Sequence, residues 1–320
     1  MNEETLCDLD IFRAICALEI IVYWHMGNYV HIFPDFFSAG RNVTIVALCG
    51  FTFISGLCNG KSIKSYHQFI IRRWERLWIP YLVAYFCLVE IGLNTFTIRN
   101  CLLSLSGFCW FTDYQPLTLW YISMLLIYYA ITPLIVSTKN TWMKLLKSIG
   151  VWCVMILFYL VFDLDYRIAF YLLFYLLGLN INISDIDRII SNKYFKVLSV
   201  LGVISIIMTF NLENTNNYIL MYLLAFTGIP LYFLISKYLM GIKWVCDILI
   251  KIAYSSMFAY LFHRFLFSHI CDLCFGISEY VLVPLLIFIV FVCSYYLQAG
   301  YDYVLRWCHY RYDSYGGKKN

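Results

Sequence analysis

Leu9-Asp-Ile-Phe-Arg-Ala-Ile-Cys-Ala-Leu-Glu-Ile-Ile-Val-Tyr-Trp-His-Met26 has the length and apolarity of a membrane-spanning helix, yet it carries Arg13, Glu19 and His25. A charge at bilayer depth costs between ~2.5 and well over ~10 kcal/mol, depending on the scale, so such residues face a protein interior or a wet cavity. The first span is therefore the place to look for function.

The composition supports a membrane-embedded reading of that stretch. Hydrophobic residues make up 62% of the 320 and charged residues 13%, and the mean hydropathy is +0.74. A soluble domain carries roughly 25% charge, so this chain cannot coat itself against water. Aromatic residues reach 20%, which suits interfacial belts as well as helix contacts. The expected fold is all-α, a polytopic transmembrane bundle. The thirteen cysteines fall mostly inside apolar runs (Cys16, Cys49, Cys87, Cys153, Cys293), where a thiol behaves as a small hydrophobe. No metal site is expected from them, and the CxxC at Cys271 and Cys274 reads as packing or a minor disulfide. Glu3, Glu4, Asp8 and Asp10 precede the first cation, unlike a cleaved signal peptide, so the first span is expected to stay in place.

Working outward, apolar runs bounded by polar clusters give ten candidate spans: about 9–30, 43–58, 77–97, 118–136, 147–162, 168–181, 197–211, 218–236, 250–269 and 280–299. With the N-terminus inside, the inner segments hold eighteen lysines and arginines and the outer loops only Arg41, Arg99 and Arg167. That asymmetry follows the positive-inside rule, and a missed span would exchange the sides of every later loop. Ten spans with both termini cytoplasmic are expected, as residues 1–300, followed by a basic cytoplasmic tail at 301–320. The outer loops read as short, so an active site has to be built from span ends and the bundle interior.

Further constellations carry chemistry. Phe69-Ile-Ile-Arg-Arg-Trp-Glu-Arg-Leu-Trp-Ile-Pro-Tyr places Arg72, Arg73 and Arg76 just before a span. Such a cluster holds a span end at the cytoplasmic face and attracts anionic lipid; it equally suits bidentate phosphate binding. Pro80 fits a helix start. Gly50, Ser55 and Gly56 are small residues that let helices approach closely in lipid. Trp120 heads an aromatic span, and Ser255-Ser-Met-Phe-Ala-Tyr-Leu-Phe-His-Arg-Phe puts His263 and Arg264 within another. His263 reads as structural or as substrate-positioning.

In this order the runs LDIFRA…WH, FISGL, FIIRRWERLWIPYL, LWYISMLLIYYAITP, YLLFYLLG and SSMFAYLFHRF resemble the acyltransferase family 3 of membrane acyltransferases, over about residues 9–300. The resemblance implies a ten-helix integral membrane enzyme that moves an acyl group, most often acetyl from acetyl-CoA, onto a sugar hydroxyl of a surface polysaccharide or its lipid-linked precursor. It carries the family's arginine-to-histidine signature onto Arg13 and His25, the arginine cluster onto Arg72, Arg73 and Arg76, the Ser-Gly pair onto Ser55 and Gly56, and the tryptophan before the fourth span onto Trp120. One departure stands out. The family pattern has ten residues between the arginine and the histidine, and here there are eleven. At ~100° per residue, twelve positions leave the two side chains about 120° apart. Either a one-residue π-bulge restores the alignment, or Arg13 and His25 do not act together. Glu19 then reads as a helix-to-helix bonding group before a catalytic one.

The implied mechanism makes His25 the general base, Arg13 the group that stabilises negative charge or fixes the donor, and the three arginines the site for acyl-CoA phosphates. Ser55, Trp120, Glu19 and His263 are candidate acceptor or packing positions. The expected partners are membrane lipid, acyl-CoA as co-substrate and a glycan or lipid-linked glycan acceptor, with no bound cofactor and no nucleic acid. The expected location is the inner (cytoplasmic) membrane. A transporter or flippase of polyprenyl-linked glycans is the alternative, which internal repeat symmetry would favour; no convincing repeat relates the two halves.

Overall fold

The computed structural model describes residues 3–32, 34–60, 65–138, 140–210 and 218–316. Among the described residues the regular structure is entirely helical. The helices are α1 (Glu3–Leu18), α2 (Pro34–Asn59), α3 (Tyr66–Glu90), α4 (Ile98–Ser106), α5 (Trp120–Val136), α6 (Thr141–Phe162), α7 (Tyr166–Asn180), α8 (Ile186–Ser191), α9 (Lys193–Phe210), α10 (Tyr218–Met240), α11 (Lys243–Leu273) and α12 (Glu279–Gly316). Between α1 and α2 the chain continues as a π-helix over Glu19–His25 and a 3-10 turn over Met26–Asn28.

Helix starts are set by short polar side chains that accept from otherwise orphaned backbone N–H groups. Ser65 Oγ accepts from Gln68 N, Thr97 Oγ1 from Asn100 N, Asn140 Oδ1 from Trp142 N, and Asp165 Oδ1 from Arg167 N. Pro80 does not open a helix as expected; it lies inside α3, whose cap is Ser65. The missing bond to the Arg76 carbonyl is tolerable in a bundle, where neighbouring groups re-satisfy freed backbone atoms.

Every expected span overlaps a helix, but the helices differ in what they can do alone. By length and apolarity α6, α10, α11 and the Glu279–Cys308 part of α12 suffice to cross a membrane. A fifth crossing arises if α7 and Ile183–Ser191, bent by 81°, count as one. Residues Val43–Asn59 and Trp120–Val136 form shorter apolar helices. α6 and α12 bury only 11% and 22% of their apolar windows against 56% for α10, so the first two belong to the lipid-facing rim and α10 to the interior. Lys61, Lys64, Lys139, Lys318 and Lys319, which contribute to the expected charge asymmetry, lie outside the described residues. The segment expected as a tail after 300 continues α12 without a break as far as Gly316.

The small residues do what lipid packing asks of them. A Cβ on Gly56 would stand 2.0 Å from the Tyr175 carbonyl oxygen, and one on Gly178 2.0 Å from that of Phe53. α2 and α7 therefore cross backbone to backbone, each contributing its glycine at the other's carbonyl. Gly50 likewise leaves room for the Phe12 ring, 2.7 Å from where a Cβ would be.

Arg72, Arg73, Arg76, Lys144, Lys243 and Arg306 mark one end of the bundle, called here the basic end. Lys144 Nζ donates to the Gly60 and Leu179 carbonyls there, and Tyr301 OH to that of Glu75. At the opposite end, the connection between α3 and α5 is longer than expected. It contains α4 and a 3-10 turn over Phe108–Phe111, and exposes Phe96, Ile98, Leu102 and Phe108. Cys271 and Cys274, also at that end, are unbridged thiols.

Candidate active site

The first span is α-helical only as far as Leu18. The seven residues of the π-helix Glu19–His25 turn by roughly 85° each instead of ~100°. They withdraw about 105° of the ~120° by which a straight α-helix would separate Arg13 from His25. The contacts agree. Arg13 Nη2 donates to Ala253 O at 3.2 Å and to Ser256 Oγ at 3.4 Å, while His25 Nδ1 lies 2.7 Å from His263 Nε2. Both side chains thus face α11, with the arginine two to three turns nearer the basic end.

The two imidazoles are buried and lie nearly parallel, ring centroids 4.7 Å apart and planes inclined by 10°. Their hydrogen-bond pattern fixes their protons. His263 Nδ1 lies 3.1 Å from Ala259 O and 2.8 Å from Tyr260 O. Carbonyl oxygens only accept, so Nδ1 carries the hydrogen and Nε2 of the neutral ring is a lone pair. His25 Nδ1 must then donate to it, and His25 Nε2 is left as the unprotonated nitrogen of the pair. A histidine whose tautomer is set by its partner in this way is prepared to accept a proton at one stated atom.

Around the pair, Tyr29 OH donates to Arg264 O at 3.3 Å and Asn28 Nδ2 to His25 O at 3.1 Å. Arg264 follows His263 directly. Its charge acts on both imidazoles and on the Tyr29 and Tyr260 hydroxyls. Its Nε is buried without a partner, and no acceptor among the described residues takes a hydrogen bond from its guanidinium.

Aromatic rings continue from the pair toward Arg167. Tyr260 lies 6.0 Å from the His263 ring and 5.7 Å from Tyr121, which lies 5.9 Å from Trp120. Tyr260 OH also donates to Thr118 O at 2.6 Å. Thr118 stands at φ +67, a backbone conformation that is strained for a β-branched residue. Trp120 and Trp110 flank the Arg167 guanidinium at 4.6 and 5.5 Å, and Arg167 in turn bonds Asp165 and Gln115. Burial pushes the Asp165 carboxyl up, but the hydrogen bonds and charge of Arg167 and the bond from Gln115 outweigh it and hold it below its ordinary value of 3.8.

The remaining expected residues separate into two places. Glu19 accepts from Tyr232 OH of α10 and leaves Oε1 buried without a partner, the helix-to-helix bond anticipated for it. Arg13 is also paired with Asp10 at 3.0 Å. At the basic end Ser55 Oγ bonds Tyr129 OH at 2.9 Å. Arg73 stands over the same Tyr129 ring at 5.7 Å and donates to Asn59 Oδ1 at 2.5 Å. Arg72 and Arg76 are exposed and bond no described residue. The contacts therefore join Ser55 to Arg73, and His25 to His263, but not one group to the other. Arg167, Asp165, Gln115 and Asn59 were not anticipated as neighbours of these groups. Arg264 was legible as an intramembrane cation by the rule that singled out Arg13. Among the described residues no three His, Cys, Asp or Glu side chains converge to hold a metal ion.

The sequence profile of the acyltransferase 3 family, described as an acyltransferase domain, matches residues 8–299. The chain belongs to this family. Neither a curated protein nor a solved structure matches it. The protein is thus a membrane acyltransferase, and the profile spans the helices that carry Arg13, His25, the arginine cluster and His263. In this acyltransferase the Trp120 ring serves the packing around Arg167 and touches His263 only through Tyr121 and Tyr260.

Proposed function

We propose that this acyltransferase, a ten-span protein of the cytoplasmic membrane with both termini inside, moves an acyl group, acetyl in the simplest case, from acyl-CoA to a hydroxyl of a cell-surface polysaccharide or its lipid-linked precursor. The observation that carries the reading is the lone pair left on His25 Nε2 by the His263 hydrogen bonds. Acyl transfer to a hydroxyl needs a base for that proton, a held donor, and a group facing the oxyanion. In the proposed step the acceptor hydroxyl loses its proton to His25 Nε2 as its oxygen attacks the thioester carbonyl. The carbon–sulfur bond then breaks, and the thiolate takes that proton back as free CoA while the ester leaves.

The placement of the cations supports a donor that enters from the basic end. Arg72 and Arg76 are exposed there and bond no described residue, as suits a phosphate site, whereas Arg73 is tied inward to Asn59. Arg13 lies between that end and His25 and fits a donor-fixing role, its bonds to Ala253 and Ser256 setting its direction. His25 lies toward the opposite face, where a surface glycan is met.

The test is transfer from radiolabelled acetyl-CoA to the glycolipids of membranes containing the wild type or His25→Ala, at equal protein. Label that disappears in the variant supports His25 as base. Label unaffected by the substitution retains the transferase and removes His25 from its chemistry. A wild type that transfers nothing contradicts the proposed reaction.

A further inference from the structure

Arg264 is a cation at the depth of the His25–His263 pair, and no carboxylate among the described residues pairs with it. Arg13 has Asp10 and Arg167 has Asp165. Arg264 has no carboxylate partner, its Nε is buried and unbonded, and its other guanidinium nitrogens have no acceptor among the described residues. An unsatisfied, half-buried guanidinium of this kind is costly in a bundle unless something anionic completes it during the working cycle.

Its position says which anion. Arg264 adjoins His263 in the sequence, and its carbonyl is anchored by Tyr29 OH at 3.3 Å, four residues beyond His25. The backbone of Arg264 is therefore anchored at the level of the imidazole pair, away from the exposed arginines at the basic end. We propose that Arg264 is a catalytic residue of the transfer, donating its N–H groups to the thioester carbonyl oxygen as that oxygen becomes negative. This rests on the reading of His25 as base.

Atoms and charges balance. The acceptor oxygen bonds to the carbonyl carbon, its proton moves to His25 Nε2, and the π electrons move to the carbonyl oxygen facing Arg264. When the electrons return, the carbon–sulfur bond breaks, sulfur takes the pair, and the proton on His25 neutralises the thiolate. Between these events the site holds an imidazolium and a guanidinium around one oxyanion. A cation with no competing carboxylate among the described residues serves such a moment better than Arg13, whose guanidinium is already shared among Asp10, Ala253 and Ser256.

The experiment uses full-length protein in lipid nanodiscs, with labelled acetyl-CoA as donor and a glycolipid extract of the expressing cells as acceptor. Removing one preorganised oxyanion donor lowers kcat by about 10²–10³-fold. Arg264→Gln is expected to show that loss with KM for acetyl-CoA and for the extract little changed, and Arg264→Lys, which keeps the charge but not the fork, a smaller loss. A raised KM for the extract with kcat intact overturns the inference in favour of an anchor for an anionic acceptor. Unaltered kinetics in both variants overturns it outright. Should Arg264→Gln not accumulate, Arg264→Lys alone decides: a kcat equal to wild type overturns the inference, and a drop at constant KM supports it. A wild type active but indifferent to Arg264 defeats this inference alone, whereas an inactive wild type defeats the proposed function with it.

Discussion

His25 Nδ1 and His263 Nε2 stand 2.7 Å apart, and because His263 Nδ1 faces two backbone carbonyls, the hydrogen between the rings belongs to His25. The relationship ties the end of the first span to α11 and assigns each ring one donor and one acceptor.

It separates two roles by mutation. His25→Ala is expected to lower kcat by about 10²–10⁴-fold, the range attributed to a positioned base. His263→Ala removes only the acceptor that sets the tautomer and is expected to lower kcat less. His263→Gln, whose side-chain oxygen accepts the same hydrogen, is expected to recover part of that loss. Steady-state kinetics with acetyl-CoA checks all three, and a His263→Gln no better than His263→Ala contradicts the positioning role.

At the basic end the arginines divide. Arg72→Ala and Arg76→Ala are expected to raise KM for acetyl-CoA several-fold, with kcat held and the effect weakening as salt is added, because both are exposed point contacts. Arg73→Ala is expected to lower the melting temperature as well, since it breaks the bond to Asn59 and the contact with Tyr129. Isothermal titration with CoA and thermal melts in nanodiscs distinguish the two behaviours.

The crossing of α2 and α7 has no room for a methyl group. Gly56→Ala and Gly178→Ala each set a Cβ about 2.0 Å from a backbone oxygen, and overpacking of this kind costs about 1–3 kcal/mol or more. Both are expected to melt lower than wild type. Gly150→Ala in α6, with nothing within 4 Å, is the control and is expected to be neutral or slightly stabilising.

Asp165 gives a pH dependence with a definite sign. Its carboxyl is held below 3.8 in the folded protein, so its contribution is present above that value and is lost as pH falls through the lower, folded pKa. Asp165→Asn is expected to melt below wild type at neutral pH, and the gap to close in acid below about pH 4. A gap that persists there assigns the effect to the lost geometry of the α7 cap.

How much of this was readable depends on the kind of information each residue carries. Arg13, Glu19 and His25 announce themselves because charge in an apolar run has one physical meaning, and small residues such as Gly56 have nearly as few. The angle between Arg13 and His25 is different. A twist of ~100° per residue predicts misalignment, and only the extended π-helix over Glu19–His25 removes it, a local change that no residue type specifies. Pro80 misled for a related reason: its rigid ring suits a first turn, but Ser65 supplies the cap and the bundle around the buried Pro80 tolerates the lost bond. The pairing of His25 with His263, and of Arg73 with Asn59, joins segments whose proximity is decided by packing rather than by pattern.

The partners of the His25–His263 bond are 238 residues apart in the chain. As the polypeptide is synthesised, His25 enters the membrane early and then waits for α11, the second-last long helix, before its tautomer is fixed. In the proposed reaction, a chain that lacks α11 has no partner for His25 Nδ1 and so no oriented base.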